Sequence, residues 1–302
     1  MRFVSIGEAM IELAPLASGA DYKRGFAGDT FNTAWYMAQV RPDWSVDFVT
    51  AIGRDVLSDS FCEVARAAGI GMHHVFRHAD RTLGLYLIEL HEAERSFHYW
   101  RENSAARTLA DDADGLTAAL RSADLVYFSG ITLAILDSAA RQTLMEVVTL
   151  VRSAGARVAF DPNLRPRLWK DADTMRDAIM AGAAIADVVL PSFDEEAVTF
   201  GDTTPEDTIA RYRRVGPTCV VVKNGEGPVH FACGDATGRV VPDPAANVVD
   251  TTAAGDSFNA AFLANYLDGA GAAVAVKAAC RLSGHVVGHR GALVELPKRS
   301  AV

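Results

Sequence analysis

A glycine followed by an aspartate opens the last apolar part of this 302-residue chain, in DTTAAGDSF (250–258). The preceding NVV is typical of a strand, and the following DSFNAAFLANYL is typical of a helix. A helix start offers backbone N–H groups to an anion, and Gly255 would let a ligand approach the backbone closely. Asp256, which we expect to stay ionised, would accept the proton of an attacking hydroxyl. The pair is therefore a candidate phosphoryl-transfer site, although an ordinary capping turn with Asp256 as the cap has the same spacing.

Two further polar clusters follow strand-like segments. VAFDPNLRPRLW places Asp161, Asn163 and Arg165 at alternate positions, which face the same way if the segment is extended. VVVKNGEG ends a strand with Lys223 and a glycine-containing turn that would suit a nucleotide. A solvated loop and a simple hairpin turn explain the same residues, so these clusters indicate a site only if they converge.

Two other segments carry groups suited to a sugar or an anion. In GFAGDTFN, Asp29 and Asn32 lie three residues apart at a predicted helix start, where they would bind sugar hydroxyls or cap the helix. In RSFHYWRENSAAR, Tyr99 and Arg101 share one face of a predicted strand, which suits an anionic ligand. An edge strand that packs on a partner subunit has the same pattern, and the two interpretations are compatible.

The elements that must position these residues alternate between strands and helices along most of the chain. This alternation predicts an α/β fold with one central, mainly parallel sheet and helices on both faces. Strand-like segments near 72–76 and 82–100 interrupt the alternation, and we expect them to form a small additional sheet that includes a hairpin. The whole chain, 1–302, is predicted to be a single domain. In such folds ligands bind at the carboxyl ends of the strands, where the clusters above lie.

Composition and the remaining motifs exclude several classes of protein. A formal net charge of −9 argues against general binding to nucleic acid or anionic membranes. Four scattered cysteines without a C-x-x-C pair make a disulfide framework or a structural zinc site improbable, and they favour a cytoplasmic location. The histidine clusters HHVFRH and HVVGH lack a third ligand at useful spacing, and the chain has no P-loop motif. No apolar run reaches the ~18 residues expected of a membrane helix.

Together these motifs resemble the PfkB-type (ribokinase-like) carbohydrate kinases along essentially the whole chain. DTTAAGDSF is similar to the C-terminal signature of that family, in which the glycine belongs to an anion hole and the next aspartate is the catalytic base. AGDTFN is similar to its N-terminal sugar-binding motif. Within the family, GEAMIEL, KRGFAGDTFNTAWYMA, SGITLAIL and DPNLRPRLW resemble segments of the 2-keto-3-deoxygluconate kinases. The resemblance implies a three-layer ribokinase-like fold with a small β-sheet lid contributed by residues from about 72 to 101.

The resemblance also implies roles for individual residues. Those implied in catalysis are Ala254, Gly255 and Asp256. Those implied in binding a sugar acid are Gly28, Asp29, Asn32, Tyr86, Tyr99, Arg101, Arg165 and Asp256. Those implied along the path of ATP are Asn163, Arg165, Ser192, Lys223, Gly225, Gly227, Ala253 and Gly255.

Metal ions and assembly are implied in the same way. ATP with Mg²⁺ is expected, and Glu195 in SFDE matches the glutamate of a family motif that holds Mg²⁺ through water. Ser192 replaces the usual asparagine of that motif, and Ala253 replaces a common glycine. Asp250 is a candidate for a monovalent cation such as K⁺. The two-faced lid strands predict a homodimer formed through the lid, because an exposed aromatic sheet needs a cover.

We therefore predict an ATP-dependent sugar-acid kinase. It would phosphorylate the primary hydroxyl of 2-keto-3-deoxygluconate to give 2-keto-3-deoxy-6-phosphogluconate. One alternative is a related kinase of a neutral ketose or nucleoside, against which Arg101 argues. Another is a catalytically inactive sugar-acid sensor, against which the intact Gly255–Asp256 pair argues.

Overall fold

The computed structural model describes residues 1–16, 21–91, 94–245 and 247–297, and in this part of the chain it contains two β-sheets and ten α-helices. The strands are β1 (Arg2–Ile6), β2 (Met10–Pro15), β3 (Tyr22–Ala27), β4 (Ser45–Ile52), β5 (Ile70–Gly71), β6 (Val75–Arg77), β7 (Gly84–His91), β8 (Glu94–Trp100), β9 (Leu125–Ser129), β10 (Arg157–Asp161), β11 (Val188–Val189), β12 (Cys219–Val222), β13 (Val229–Cys233) and β14 (Ala236–Val240).

The helices cover both faces of the larger sheet. They are α1 (Asp29–Val40), α2 (Val56–Ala67), α3 (Ala113–Leu120), α4 (Gly130–Ile135), α5 (Ser138–Ser153), α6 (Ala172–Ala184), α7 (Phe193–Phe200), α8 (Pro205–Arg213), α9 (Ala254–Leu267) and α10 (Ala272–Val286), with short 3₁₀ turns at Ala105–Thr108 and Pro166–Leu168. Among the described residues, no helix is long and apolar enough to cross a membrane.

The central sheet has the strand order β14-β13-β12-β11-β10-β9-β1-β4-β5, with β6 also paired to β4. All neighbours are parallel except β12–β13 and β13–β14, which are antiparallel. Alternate side chains of each strand enter one of two hydrophobic cores. In β12, for example, Val221 belongs to the same core as buried residues of α1, α9 and α10, whereas Val220 belongs to the core on the opposite face. This arrangement confirms the predicted mainly parallel sheet between two helical layers.

The smaller sheet, which we call the lid, has the strand order β3-β2-β7-β8. The predicted hairpin is present, as β7 and β8 pair antiparallel from Leu85 opposite Trp100 onward. The lid nevertheless differs from the sequence-based expectation in two ways. It includes β2 and β3, which precede α1, and the strand at Val75–Arg77 joins the central sheet instead. The middle of the β7–β8 connection lies outside the described residues.

The cysteines also depart in part from expectation. Cys219 on β12 and Cys233 on β13 face each other in register and form a disulfide, whereas Cys62 and Cys280 are free. This pair could not be predicted from the sequence, because its two members are 14 residues apart and meet only through the antiparallel pairing of β12 and β13. This one disulfide departs from the expectation drawn from the scattered cysteines.

Candidate active site

A cleft of about 1140 Å³ lies between the carboxyl ends of the central strands and the lid. Most of the residues singled out from the sequence line it. They are Gly28, Asp29, Asn32, Tyr86, Tyr99, Arg101, Asn163, Arg165, Ser192, Glu195, Lys223, Ala253, Ala254, Gly255 and Asp256. Three others do not line this cleft, namely Gly225, Gly227 and Asp250. The first two belong to the tight turn after Lys223, in which the Gly227 N–H donates to the Asn224 carbonyl at 2.7 Å.

The turn that leads into α9 presents unused backbone donors to the cleft. Ala253 is the N-cap residue in a left-handed conformation (φ 60°), and no side chain of the described residues caps the helix. The alternative in which Asp256 is the cap is therefore wrong. The Ala254 N–H donates to the Thr251 carbonyl at 3.2 Å. This amide is therefore already used within the turn, whereas the resemblance to the family implied that Ala254 takes part in catalysis. Within the described chain, no hydrogen bond is observed for the amides of the next two residues, which remain as the candidate anion hole.

Gly255 keeps the space in front of this turn open. A Cβ atom at position 255 would point into the cleft, 3.5 Å from the Lys223 ammonium nitrogen. The gap between Lys223 and the start of α9 is thus bordered by a positive charge on one side and by backbone N–H groups on the other. Such a gap is suited to a phosphoryl group, because both borders stabilise negative charge.

Asp256 is 9% exposed and lies beside this gap. Its carboxyl accepts a hydrogen bond from the Asn32 amide nitrogen at 2.8 Å, and the Asn32 oxygen accepts one from the Gly28 N–H at 3.3 Å. Asn32 was expected to bind a sugar hydroxyl directly. In the structure Asn32 lines the cleft and also contacts the candidate base, which it orients from the first turn of α1.

The protonation state of Asp256 differs from the expected one. Burial raises its pKa to about 8, and the nearby carboxyls of Asp29 and Asp161 add to the rise, while the Asn32 hydrogen bond and the Lys223 charge oppose it. Without ligands, this carboxyl is therefore mostly protonated at neutral pH, contrary to the expectation that it stays ionised. A proton acceptor with a pKa near the working pH is well matched to general-base catalysis.

The raised pKa predicts how stability depends on pH. In the unfolded chain Asp256 ionises near its ordinary 3.8, whereas in the folded chain it holds its proton to about pH 8. Its contribution to the free energy of unfolding is therefore largest at low pH and is lost as the pH rises toward 8. We expect Asp256→Asn to gain thermal stability relative to the parent between pH 6 and pH 9. Parallel melting-temperature curves for the two proteins would contradict this.

The segment after β10 brings its polar groups together by a turn and not by an extended strand. Asn163 has a left-handed backbone (φ 35°), and its side chain donates to Asp29 at 2.8 Å. Asp161 pairs with Lys223 at 3.0 Å. The predicted convergence is thus confirmed for the cleft, but the predicted geometry of alternate positions in an extended segment is wrong.

Arg165 and Glu195 form an ion pair at 2.5 Å on the floor of the cleft. Glu195 also accepts the Leu164 N–H at 2.9 Å, and burial raises its pKa. Among the described residues, no three His, Cys, Asp or Glu side chains are placed to hold a metal ion. Mg²⁺ commonly keeps several waters and binds through one or two carboxylates plus substrate phosphates, so this cleft fits an ion that enters with a nucleotide.

The lid supplies the opposite wall. Tyr86, Phe97 and Tyr99 form a row of aromatic rings that faces the cleft, and Arg101 follows them. Arg101 was expected to be available for a substrate carboxylate. In the structure its guanidinium donates from Nη2 to the buried Glu8, while no described residue supplies a hydrogen-bond partner for Arg101 Nε or Glu8 Oε1.

Asp250 occupies a position just outside the cleft. One carboxylate oxygen accepts the Thr252 N–H at 3.0 Å, and the other accepts the Gly291 N–H at 2.7 Å. The side chain therefore ties the turn before α9 to the segment after α10. A cation at this position would share a carboxylate that already accepts two backbone donors.

Comparison with known proteins identifies the family of the chain. The family model described as pfkB family carbohydrate kinase matches residues 2–299. The chain belongs to this family. The resemblance inferred from the sequence motifs is thereby confirmed.

Individual relatives and solved structures are similar to this chain along nearly its whole length. A protein of Haemophilus influenzae named 2-dehydro-3-deoxygluconokinase is 36% identical, with 97% of this chain and 96% of the relative covered. One of Dickeya dadantii with the same name is 38% identical, with 96% of each covered. A crystal structure of a PfkB protein from Polaromonas sp. JS666 superposes with a TM-score of 0.85 at 31% identity over 95% of this chain and 96% of that one. A putative ribokinase II from Escherichia coli, solved with ATP and Mg²⁺, has the same fold, with a TM-score of 0.85 at 23% identity over 97% of this chain and 94% of that one.

Several residues that support the site were missed in the sequence. Glu8 and Glu12 hold Arg101 and Tyr86 from behind, and Asn259 and Tyr127 lie beneath Asp161. The signals were present but weak. GEAMIEL contains two acids in an otherwise apolar segment, and Asn259 is a single amide within an apolar helix. Buried polar groups of this kind need partners, which is why they mark the neighbourhood of a site.

Proposed function

We propose that this protein is an ATP-dependent kinase of 2-keto-3-deoxygluconate that phosphorylates the primary hydroxyl. The observation that carries the proposal is Asp256, a buried carboxyl fixed by Asn32 next to the gap between Lys223 and the Gly255 turn. The names of the relatives support the choice of a sugar acid as the acceptor. The cleft also has the size and lining for two small ligands, because its polar floor is continuous with the aromatic wall of the lid.

In the proposed reaction, Asp256 accepts the proton of the primary hydroxyl as the oxygen attacks the γ-phosphorus of ATP. The new P–O bond forms while the bond to the β,γ-bridging oxygen breaks, and ADP leaves with that electron pair. The amides of Gly255 and Asp256 and the Lys223 ammonium stabilise the charge on the transferred group. Asn32 holds the Asp256 carboxyl in place, and the lid covers the cleft against water.

The proposal assigns the nucleotide to the sheet side of the cleft. Ser192 and Lys223, joined by a β-bridge, and Asn163 border that side, with Gly225 and Gly227 in the adjoining turn. Mg²⁺ would neutralise the phosphates, with Glu195 as the candidate to hold one of its waters. While it held that water, the Glu195 carboxylate would also remain in its ion pair with Arg165.

The decisive experiment is a phosphoryl-transfer assay with a panel of sugars and sugar acids. ADP release should be fastest with 2-keto-3-deoxygluconate, and mass and NMR analysis of the product should place the phosphate on the 6-oxygen. Comparison with the galactonate isomer tests how narrow the acceptance is. Equal or faster turnover of a neutral ketose, or no turnover of any sugar acid, would overturn the proposal.

A kinase of a neutral ketose is the second candidate, and one observation favours it. The positive charge of Arg101 is already balanced by Glu8, so the lid wall carries less net attraction for an anion than the sequence suggested. The same assay separates the two candidates, and the Arg101 variants described in the Discussion test the reason.

A homodimer formed through the lid is proposed from the exposed aromatic residues of β8. Trp100 is 59% exposed, and it stands on the strand face that does not line the cleft. We expect sedimentation to show a dimer and Trp100→Glu to shift it toward monomer, because a charge would be buried at the interface. Leu150→Glu on α5, which changes another exposed apolar side chain, is the matched control. A parent protein that is monomeric at all working concentrations would contradict the dimer.

Activation by a monovalent cation is proposed from the position of Asp250 beside the anion hole. A cation bound to Asp250 would stiffen the turn of Thr251–Thr252 and the segment at Gly291, because the N–H groups of Thr252 and Gly291 both donate to the Asp250 carboxylate. We expect higher kcat in K⁺ than in a large organic cation at equal ionic strength. Identical rates in the two salts would remove Asp250 from any such role.

The cytoplasmic location inferred from the sequence stays a prediction. Its direct test is fractionation of cells that express the tagged protein.

A further inference from the structure

Two carboxyl groups, those of Asp161 and Asp256, lie near the Lys223 ammonium, which pairs with Asp161. Its nitrogen donates to Asp161 Oδ2 at 3.0 Å and to the Asn259 oxygen at 3.3 Å. Asp256, on the other side of the gap, accepts from the neutral Asn32 amide instead. Among the described residues, no ion pair joins Lys223 to Asp256.

Asp161 is fixed at both of its oxygens. Oδ1 accepts the Asn163 N–H at 3.1 Å, and Oδ2 accepts the Asn259 side-chain nitrogen at 2.6 Å as well as Lys223. Asp161 is 3% exposed, so a shift of this carboxylate would require several buried partners to move. Its place is therefore set by the fold and not by the nucleotide.

Asn259 is the part of the network that the sequence motifs did not assign. It lies on α9 three residues after Asp256, is fully buried, and also donates to the Tyr127 hydroxyl at 3.0 Å. Its amide thus joins α9 to β9, to the end of β10 and to the residue after β12. A buried amide with both ends used orients its partners, and its loss leaves them unsatisfied.

We propose that Asp161, held in place by Asn259, is a positioning residue. It keeps the Lys223 ammonium in an ion pair with itself and thereby prevents that ammonium from pairing with the candidate base Asp256. The inference rests on the proposed kinase function. A base that was ion-paired with Lys223 would hold a proton weakly and would accept the hydroxyl proton poorly. With Asp161 in place, the ammonium remains beside Gly255, where the charge of the transferred group develops, and the base remains basic.

The charges around Asp256 agree with the pairing of Lys223 with Asp161 rather than with Asp256. Removing the Asp161 charge and releasing Lys223 toward Asp256 would both lower the pKa of Asp256, so the two effects have the same sign. The groups that face Asp256 from the surrounding elements are Asp29, Asn32 and Tyr36 on α1, Tyr127 on β9, Asp161 at the end of β10 and Lys223 after β12.

The test replaces Asp161 with asparagine, which keeps the shape and removes the charge. The pH profile of kcat/KM for the sugar acid should have its acid limb at lower pH in Asp161→Asn than in the parent. At the parent's optimum, kcat should fall roughly tenfold or more, within the range of lost proton-transfer efficiency. A carbon-13 NMR titration of the Asp256 carboxyl, which needs no substrate, should show the same downward displacement.

Two further variants keep the proposal falsifiable. Asn259→Ala loosens Asp161 without removing its charge, so its acid limb should move in the same direction by a smaller amount. Asp187→Asn is the folding control, because Asp187 pairs with Arg152 and accepts the Val158 N–H at the opposite end of the sheet. It should lower the melting temperature without moving the acid limb.

The outcomes separate this inference from the proposed function. An Asp256 titration that is unchanged in Asp161→Asn and in Asn259→Ala would overturn the positioning role, whatever the substrate. If the parent fails to phosphorylate every sugar acid but the titration moves as expected, the proposed function is wrong and the positioning role stands.

Discussion

Asp256→Asn is expected to lose most of its turnover and to keep its affinity for ATP. The asparagine preserves the size of the side chain and its contact with Asn32, but it cannot accept the hydroxyl proton. Removal of a general base typically costs about 10²–10⁴-fold in rate. A loose transition state for phosphoryl transfer places the expected loss toward the lower part of that range. The measurement is kcat at saturating sugar acid, with ATP binding followed separately by calorimetry.

The pH profile sharpens this expectation. Because the pKa of Asp256 is raised to about 8, kcat/KM of the parent should increase as the pH rises through that region. The variant should lack this limb altogether. Asp194→Asn is a suitable control, since it changes an acid in the first turn of α7 that does not line the cleft. Near-normal kcat in Asp256→Asn, or an unchanged acid limb, would remove Asp256 from the proton transfer.

The motif around Asp256 could be interpreted from the sequence because its parts are contiguous. A strand, a glycine and an acidic residue at a helix start indicate a candidate anion hole and a candidate base together, although the spacing alone also fits a capping turn, and the resemblance to the family decided between the two. Its protonation state could not be assigned in this way. The pKa depends on Asp29 and Asp161, which approach Asp256 only when α1 and the end of β10 pack beside α9.

The lid shows the same limit for secondary structure. MIELAP and YKRGFA, which form β2 and β3, carry no clean alternation of apolar and polar residues, and a strand prediction depends on that period. They become strands by pairing, β2 with both β3 and β7. The hairpin of β7 and β8 was predictable because its two strands are near neighbours in the chain and have β-forming residues.

The pairing of Arg101 with Glu8 joins residues that are 93 positions apart. From the sequence, Arg101 has a fork of donors directed at a cleft, and the simplest partner is a substrate carboxylate. The structure adds an acid from the β1–β2 connection, which enters behind the lid and reaches the guanidinium first. Arg101 therefore has two candidate roles, which are binding a substrate carboxylate and pairing with Glu8 inside the fold. Experiments on Arg101 must separate these two roles.

Arg101→Ala is expected to weaken use of the sugar acid and to leave a neutral analogue nearly unaffected. A charge-assisted hydrogen bond contributes roughly 1.5–3 kcal/mol, which corresponds to about 10–100-fold in kcat/KM. Arg101→Lys should recover only part of this, because an ammonium lacks the planar fork that matches a carboxylate. Tyr99, whose ring centroid lies 5.8 Å from the guanidinium carbon, should remain in place in both variants.

Loss of Arg101 also leaves Glu8, which is 1% exposed, as a buried carboxylate without its cation. Breaking a buried pair in this way typically costs about 3–5 kcal/mol of stability. Arg101→Ala should therefore melt at lower temperature, and the double variant Glu8→Gln with Arg101→Ala should regain much of that loss. The double variant then measures binding in a protein whose fold is intact.

Kinetics of the double variant decide between the two roles of Arg101. If the guanidinium binds the substrate carboxylate, the stability returns with Glu8→Gln but the 10–100-fold loss on the sugar acid persists, while the neutral analogue is still used normally. If Arg101 serves only to brace the lid through Glu8, the double variant recovers activity on both substrates together with its stability. Equal losses on the acid and on the neutral analogue would likewise end the carboxylate interpretation, and they would favour a kinase whose acceptor is a neutral sugar.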